Sequence, residues 1–272
     1  MKYLLSVFIF ILLSSGTPVF AQGCFDDATE NELLNYFKEM HRLQNSTSQE
    51  SQDSLYIMNN KFYHFLSYAV ERNYTIVDDL NKLLYEGLDY SISDDHNCAV
   101  FSWEIYSFIG MHFRCGLVFY KTSDGIHSSK YLDGYAPYSV SSMLTKGGKT
   151  IYLLFGEDAY NLKGRFKRVS ANVIETRYGE EGLMPASIFY DSKNDSISYK
   201  EYKYDLASYT KPVEVPDILF SKNRKKLSVP VIAENGYFAG NYNTYNFDGY
   251  KFVLEKTNTN KAAKGNIDGK AN

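Results

Sequence analysis

Residues 96–121 read HNCAVFSWEIYSFIGMHFRCGLVFYK and hold the only tryptophan, Trp103, together with Cys98, Cys115, His96 and His112. From Ala99 the residues alternate. Ala99, Phe101, Trp103 and Ile105 fall on one side, and Val100, Ser102 and Glu104 on the other. A period of two marks a strand. A second run, Ile109 to Tyr120, completes an antiparallel hairpin. The register that keeps one face apolar sets Ile105 opposite Ile109, Trp103 opposite Met111, Phe101 opposite Phe113 and Ala99 opposite Cys115. Tyr106-Ser107-Phe108 is then the turn. The reverse face pairs Glu104 with Gly110, Ser102 with His112 and Val100 with Arg114, so one side of the sheet is expected to be wet. In this register Cys98 and Cys115 lie on opposite faces and cannot be bridged without backbone movement. Two unbridged thiols are predicted, with Cys24 unpaired as well, against the preference of an oxidising compartment for a disulfide. A bulge near Gly110 would bring the two together.

Upstream of this hairpin the period is helical. Thr29-Glu30-Asn31-Glu32 has the form of a capping box, and Leu33, Leu34, Phe37, Met40 and His41 follow at helical spacing. Asn45 to Asp53, NSTSQESQD, reads as a flexible connection. A second helix is predicted from Ser54 to Arg72, with Leu55, Met58, Phe62, Phe65, Leu66, Ala69 and Val70 as its apolar stripe, ended at Asn73-Tyr74. A third, short one turns Ile76, Val77, Leu80, Leu83 and Leu84 inward and ends at Gly87, a left-handed cap.

Downstream, short alternating runs are punctuated by Gly, Asn, Asp and Lys. Lys149 to Phe155, KTIYLLF, is apolar on both faces and is predicted as a central strand after a Gly147-Gly148 turn. Val169, Ala171 and Val173 point inward from Lys167 to Val173. Ile188 to Tyr190 and Ile197 to Tyr199 flank a polar turn, Asp191 to Asp195. Ser221 to Lys226, SKNRKK, is a basic turn between two strands. It is either an anion patch or, as is usual for so short a run, a solvated tip. Asp248-Gly249 suits a two-residue type I′ loop, which pairs Phe247 with Tyr250, Tyr245 with Phe252 and Asn243 with Leu254.

The expected architecture is therefore α+β. A short N-terminal helical segment, 22–87, packs on a large antiparallel β domain, 88–256, built as a sandwich or a propeller-like meander. Residues 257–272 offer nothing to bury and read as a disordered tail. Met1 to Ala21 has the layout of a secretory signal peptide: Lys2, an apolar core from Tyr3 to Leu13, and cleavage expected after Ala21. The core is too short for a transmembrane span, and no other run is long and apolar enough. Cys24 after Ala21-Gln22-Gly23 permits a minority alternative, a bacterial lipid anchor; Gln22 and the polar gap after Leu13 count against it. Secretion, or residence in the periplasm or envelope, is predicted.

Net charge is -3, which gives no global attraction to nucleic acid or anionic membrane. The composition stands out for 25 Tyr and 18 Phe. Tyr suits half-buried strands first and binding surfaces second. No nucleotide loop, zinc helix, Cys-x-x-Cys pair or Gly-x-Ser-x-Gly elbow is present. No catalytic residue, metal ligand or cofactor is predicted. The five histidines, His41, His64, His96, His112 and His127, show no ligand spacing. Glu157-Asp158 reads as a turn after the central strand. Asp94-Asp95 lacks the regular oxygen ligands of a calcium loop.

The order of helices, Ser93-Asp94-Asp95, a strand with Ser102-Trp103-Glu104 and then Lys149-Thr150-Ile151-Tyr152-Leu153-Leu154 resembles uncharacterised secreted proteins of Bacteroidetes, from Leu80 to Glu255. In that group a Gly-rich turn follows the Trp; here the turn is Glu104 to Ile109 and only Gly110 remains. The resemblance implies an exported bacterial protein and assigns no residue a role. The expected function is a β-rich binding or interaction module whose partner is a glycan or an envelope protein, with a contiguous exposed aromatic patch on one sheet face or end. The alternative is an extracytoplasmic hydrolase using Asp, Glu or His in a convergent cleft.

Overall fold

The computed structural model describes residues 27–46, 48–72, 80–106, 112–129, 135–159, 164–191, 196–205 and 215–255. They fall into two compact units, divided between Leu88 and Asp89. The signal peptide, Cys24, Asn73-Tyr74, Ile76, Val77 and the tail from Thr257 lie outside the described residues.

In the first unit helix α1 (Asp27–Gln44) buries Leu33, Phe37, Met40 and Leu43. Helix α2 (Gln49–Arg72) answers with Leu55, Phe62, Leu66, Ala69 and Val70. The Phe37 and Phe62 rings meet at 5.2 Å. Two expectations are corrected. Thr29 is inside α1 and does not cap it, since the helix has begun by Asp27. The buried carboxylate of that segment is Glu30, which pairs with Lys82 Nζ at 2.8 Å and accepts its backbone N–H at 3.3 Å. The stretch Asn45 to Asp53 is mostly helix, because Ser48 caps α2: its Oγ accepts the Ser51 N–H at 3.2 Å. Polar residues that looked like a linker are capping and first-turn residues. Helix α3 (Asn81–Tyr85) ends as expected. Gly87 has φ +102°, its N–H reaches the Leu84 carbonyl, and Leu88 N–H reaches that of Leu83. This is the paired bonding of a left-handed cap.

The second unit is three sheets. The first orders β1 (Asp89–Ile92), β2 (Cys98–Tyr106), β3 (His112–Lys121) and β4 (Ile126–Ser129) side by side. The middle one comprises β5 (Ala136–Leu144), β6 (Thr150–Ala159), β7 (Gly164–Arg177), β8 (Glu180–Pro185) and β11 (Tyr199–Asp205), in the order β11-β7-β6-β5 with β8 also on β7. The third has β9 (Phe189–Tyr190), β10 (Ser196–Ile197), β12 (Leu219–Phe220), β13 (Lys226–Ile232), β14 (Phe238–Phe247) and β15 (Phe252–Leu254), in the order β10-β9-β15-β14-β13-β12. The described pairings are antiparallel apart from β9 with β15, which is parallel. The chain is thus α+β with a layered β unit.

Alternation explains the layering. From β6, Ile151, Leu153 and Phe155 join Val169, Ala171 and Val173 of β7 in a core shared with Phe189, Leu227, Tyr245 and Phe252 of the third sheet. Tyr152 and Leu154 point the other way, to Cys98, Val100 and Val118 of the first sheet. A strand buried on both faces carries no polar alternation, which is why KTIYLLF reads as a continuous apolar run.

Each of the two predicted hairpin registers is displaced by an even number of residues. In the first, Trp103 faces Cys115, Phe101 faces Leu117 and Ala99 faces Phe119. In the last, Tyr245 faces Leu254 and Phe247 faces Phe252. The last loop is therefore longer than a two-residue I′ turn. The Asp248 carboxylate accepts the N–H groups of Tyr250 at 2.8 Å and Lys251 at 3.0 Å and builds the turn from its side chain. Burial dictates the face and is indifferent to a shift of two. The expected wet side of the first hairpin is also corrected. Ser102, Val100 and Val118 are as buried as Phe101 and Phe119, because the middle sheet covers the former face. Within that face, Gly116 and Gly156 allow close approach. A Cβ on Gly116 would meet Ala136 Cβ at 3.1 Å, and one on Gly156 would lie 2.5 Å from the Tyr135 ring and from the Ala136 carbonyl.

Gly156→Ala is expected to overpack this contact and lower stability by about 2 kcal/mol, read as a lower urea midpoint. Cys98 and Cys115 are buried, carry no disulfide and lie on opposite faces, as predicted. Burial pushes the Cys98 thiol well above its ordinary pKa. Thiol reagents should label both only after unfolding, and a Cys98–Cys115 peptide in non-reducing mapping would contradict the observed register.

Candidate functional site

Two turns share one design. In Ser93 to Cys98, Ser93 Oγ donates to Asp95 Oδ1 at 2.6 Å and accepts the Cys98 N–H at 2.9 Å, while Asp95 Oδ1 accepts the Asn97 N–H at 3.2 Å. In Ser221 to Lys226, Ser221 Oγ donates to Asn223 Oδ1 at 2.8 Å and accepts the Lys226 N–H at 2.9 Å, while Asn223 Oδ1 accepts the Lys225 N–H at 3.2 Å. The fourth residue of each is left-handed without being glycine: His96 at φ 55° and Arg224 at φ 57°. Ser at the first position and Asx at the third supply the side-chain acceptors that hold it there. The turns carry opposite charge and meet in a close Asp94–Arg224 ion pair. Asp95 also accepts the Tyr152 hydroxyl at 2.8 Å.

Two further hairpin tips meet beside the Ser221 to Lys226 turn. Between β5 and β6 the Lys146 N–H reaches the Gly249 carbonyl at 2.8 Å, and Lys146 Nζ reaches the Asp248 carbonyl at 2.8 Å. The Phe247 N–H donates to the Lys225 carbonyl at 2.8 Å. Gly249 is at φ +106°, and the stem of Lys146 lies where a Cβ would be. These bonds frame a cleft of about 420 Å³ with Lys146, Arg224 and Lys225 on its rim and Met143, Leu144 and Phe247 among its lining. Leu144 is 68% exposed, and the exposed Tyr250 ring flanks the cleft, 5.8 Å from Lys146 Nζ. Among the described residues Lys146 and Lys225 form no salt bridge, though the charge of Lys146 acts on the nearby Asp248 carboxylate. A second cleft, about 550 Å³, borders the same β5–β6 turn and is lined by Asn97, Thr122, Lys149, Thr150 and Glu175 among others. Such a surface can hold an anion beside a ring or an apolar group.

SKNRKK thus sits at a tip that is part of a cleft. Its partners Lys146 and Tyr250 come from other hairpins, and no local pattern links them. Glu157-Asp158 is corrected: both belong to β6, where Glu157 pairs in register with Lys167. Glu157 also lies 3.8 Å from Arg114 Nε. Arg114 binds Asp89 at 2.8 Å, Glu104 at 3.2 Å and Ser102 Oγ at 2.8 Å. These carboxylates are engaged by a fixed cation, which suits a clamp joining β1, β2, β3 and β6 better than acid–base work. His41 and His64 are exposed on α1 and α2, and His96 is exposed on its turn. His127 lies 3.0 Å from Asp124, and the His112 side chain is outside the described residues. No group of three His, Cys, Asp or Glu could hold a metal among the described residues. Among the described residues Tyr56 and Tyr68 are exposed on α2, Tyr85 on α3, and Tyr178, Tyr237 and Tyr250 on separate turns of the second unit, while Tyr135, Tyr152, Tyr202, Tyr204 and Tyr245 are buried as core.

Burial works to raise the Asp95 carboxyl, but hydrogen bonds from Ser93, Tyr152 and Asn97 outweigh it and hold its pKa below the ordinary value. A depressed folded pKa means stability that is present above the unfolded value and lost as pH falls through the folded one. Stability should therefore decline below about pH 4, and Asp95→Asn should flatten that part of the curve in acid denaturation. Comparison of the chain with protein-family models, with curated proteins and with solved structures found no match.

Proposed function

We propose that this protein is a binding module that acts outside the cytoplasm, and that the cleft framed by the β5–β6, β12–β13 and β14–β15 turns is its binding surface. The observation that carries this reading is the preformed cleft. Its three tips are held by backbone and side-chain hydrogen bonds, while Lys146, Arg224 and Lys225 outnumber the nearby carboxylates of Asp94 and Asp248. Preorganisation of this kind lowers the cost of binding. The layout of Met1 to Ala21 and the resemblance to exported bacterial proteins support a role beyond the inner membrane. Asp89, Glu157 and Asp217 share a cleft with Arg114 and Lys167, and those cations engage them as ion-pair partners, which suits a clamp better than the hydrolase alternative.

The test is retention of the purified protein on immobilised envelope fractions and polysaccharides. The Lys146→Ala/Tyr250→Ala double variant should lose at least about tenfold in retention, equivalent to roughly 1.4 kcal/mol. Tyr178→Ala, at a fully exposed ring on another turn, should retain like the parent. Retention that ignores the cleft would remove this reading.

A further inference from the structure

We infer that the ligand is an oligosaccharide carrying an anionic sugar, a uronate or a sulfate ester, seated at the Lys146–Arg224–Lys225 rim with its neutral residues running toward the second cleft. This rests on the binding-module reading and names the ligand class of the same surface.

Charge sets one end of the site. Lys146, Arg224 and Lys225 line the first cleft, and Asp248 is the acidic residue on that lining. Its carboxylate faces the N–H groups of Tyr250 and Lys251. Burial tends to raise the Asp248 carboxyl, yet those two N–H groups and the nearby lysines hold it below its ordinary value and ionised. Asp94 offsets one cation, Arg224, and leaves the rim net positive. The second cleft is different. Lys149 faces Glu175 at 3.6 Å, and hydroxyl and amide groups from Thr122, Thr150 and Asn97 share the lining. One end therefore suits an anion and the other suits hydroxyls. The Thr145–Lys149 turn contributes to both, Lys146 to one and Lys149 to the other.

The ring of Tyr250 flanks the anionic end with its body exposed. A pyranose ring offers C–H groups to an aromatic face and hydroxyls to its sides, which this combination meets. An anionic lipid surface would need several apolar side chains projecting together, whereas Leu144 is the one strongly exposed aliphatic residue of the cleft among the described residues.

Isothermal titration calorimetry of the whole protein decides the matter, with oligogalacturonate and heparin-derived oligosaccharide as acidic probes, maltohexaose as the neutral one and phosphatidylglycerol vesicles as the lipid arm. An acidic probe should bind: binding of oligogalacturonate shows that a carboxylate suffices, and binding of the heparin-derived oligosaccharide alone shows that sulfate is required. Affinity should fall as salt rises. Lys146→Ala and Lys225→Ala should each weaken binding by roughly fivefold, and Tyr250→Ala by roughly tenfold. Thermal melting of Lys225→Ala checks that the fold is kept. Equal, salt-independent binding of maltohexaose would overturn the acidic class and leave the module reading standing. Vesicle binding lost in Leu144→Asp, with no sugar bound, would overturn the sugar. Silence of all four probes, while envelope retention still depends on Lys146 and Tyr250, would overturn this inference alone. Retention indifferent to those residues would overturn the module reading.

Discussion

At Gly116 the first sheet rests on the middle one almost through backbone, since a Cβ there would meet both Cβ and Cα of Ala136 within 3.3 Å. Sheets packed face to face are ordinarily about 10 Å apart, with side chains between them. So close a crossing admits only small residues, and small residues that also pair in strands include serine. Ser102 lies opposite Gly116, and Ser170 faces the same layer. Their hydroxyls are buried and need partners. Arg114 supplies one, and the Tyr135 hydroxyl, 2.6 Å from Ser170 Oγ and 3.0 Å from the Leu154 carbonyl, supplies the other. Tyr135 in turn occupies the space that Gly156 leaves. Close approach, buried polarity and the second glycine are one constraint seen three times.

The alternation of side chains along a strand sets which face each residue takes. Period-two patterns assign residues to faces correctly in both hairpins, from Ala99 to Trp103 and from Tyr245 to Leu254. They do not assign partners, because sliding a strand by two residues leaves every side chain on the same face. The thiols illustrate the difference: Cys98 and Cys115 are separated by parity alone, so the displaced register does not matter to them. Ser102 looked like part of a wet face, because a polar residue in a strand gives no hint that a neighbouring sheet will cover it.

The cleft was less legible. SKNRKK shows its charge in the sequence, and the shared Ser-x-Asx pattern of Ser93 and Ser221 is a local signal that turn chemistry could have revealed. The apposition of the two turns is not local. Asp94 and Arg224 belong to the first and third sheets, and Lys146 comes from the middle one. Only the stacking of layers brings them to one end. The abundance of tyrosine pointed to a surface, yet much of it is core: Tyr202 and Tyr204 pack against each other at 5.7 Å, and Tyr245 lies in the same cluster.

The place of β15 bears on how the chain reaches this state. Its three residues, Phe252 to Leu254, lie between β9 and β14, in the interior of the third sheet. Phe252 stacks on Phe189 at 5.5 Å and pairs with Phe247 across the hairpin. A chain emerging from its N-terminal end can form the first and middle sheets while β9 and β10 wait. The parallel partner of β9 is about sixty residues away along the chain, and contacts of such separation are slow to close. Until Phe252 arrives, β9 and β14 each present an unpaired edge of the kind that recruits strands from other molecules. Short strands in the interior of the sheet therefore govern its most exposed moment, and its closure waits for Phe252.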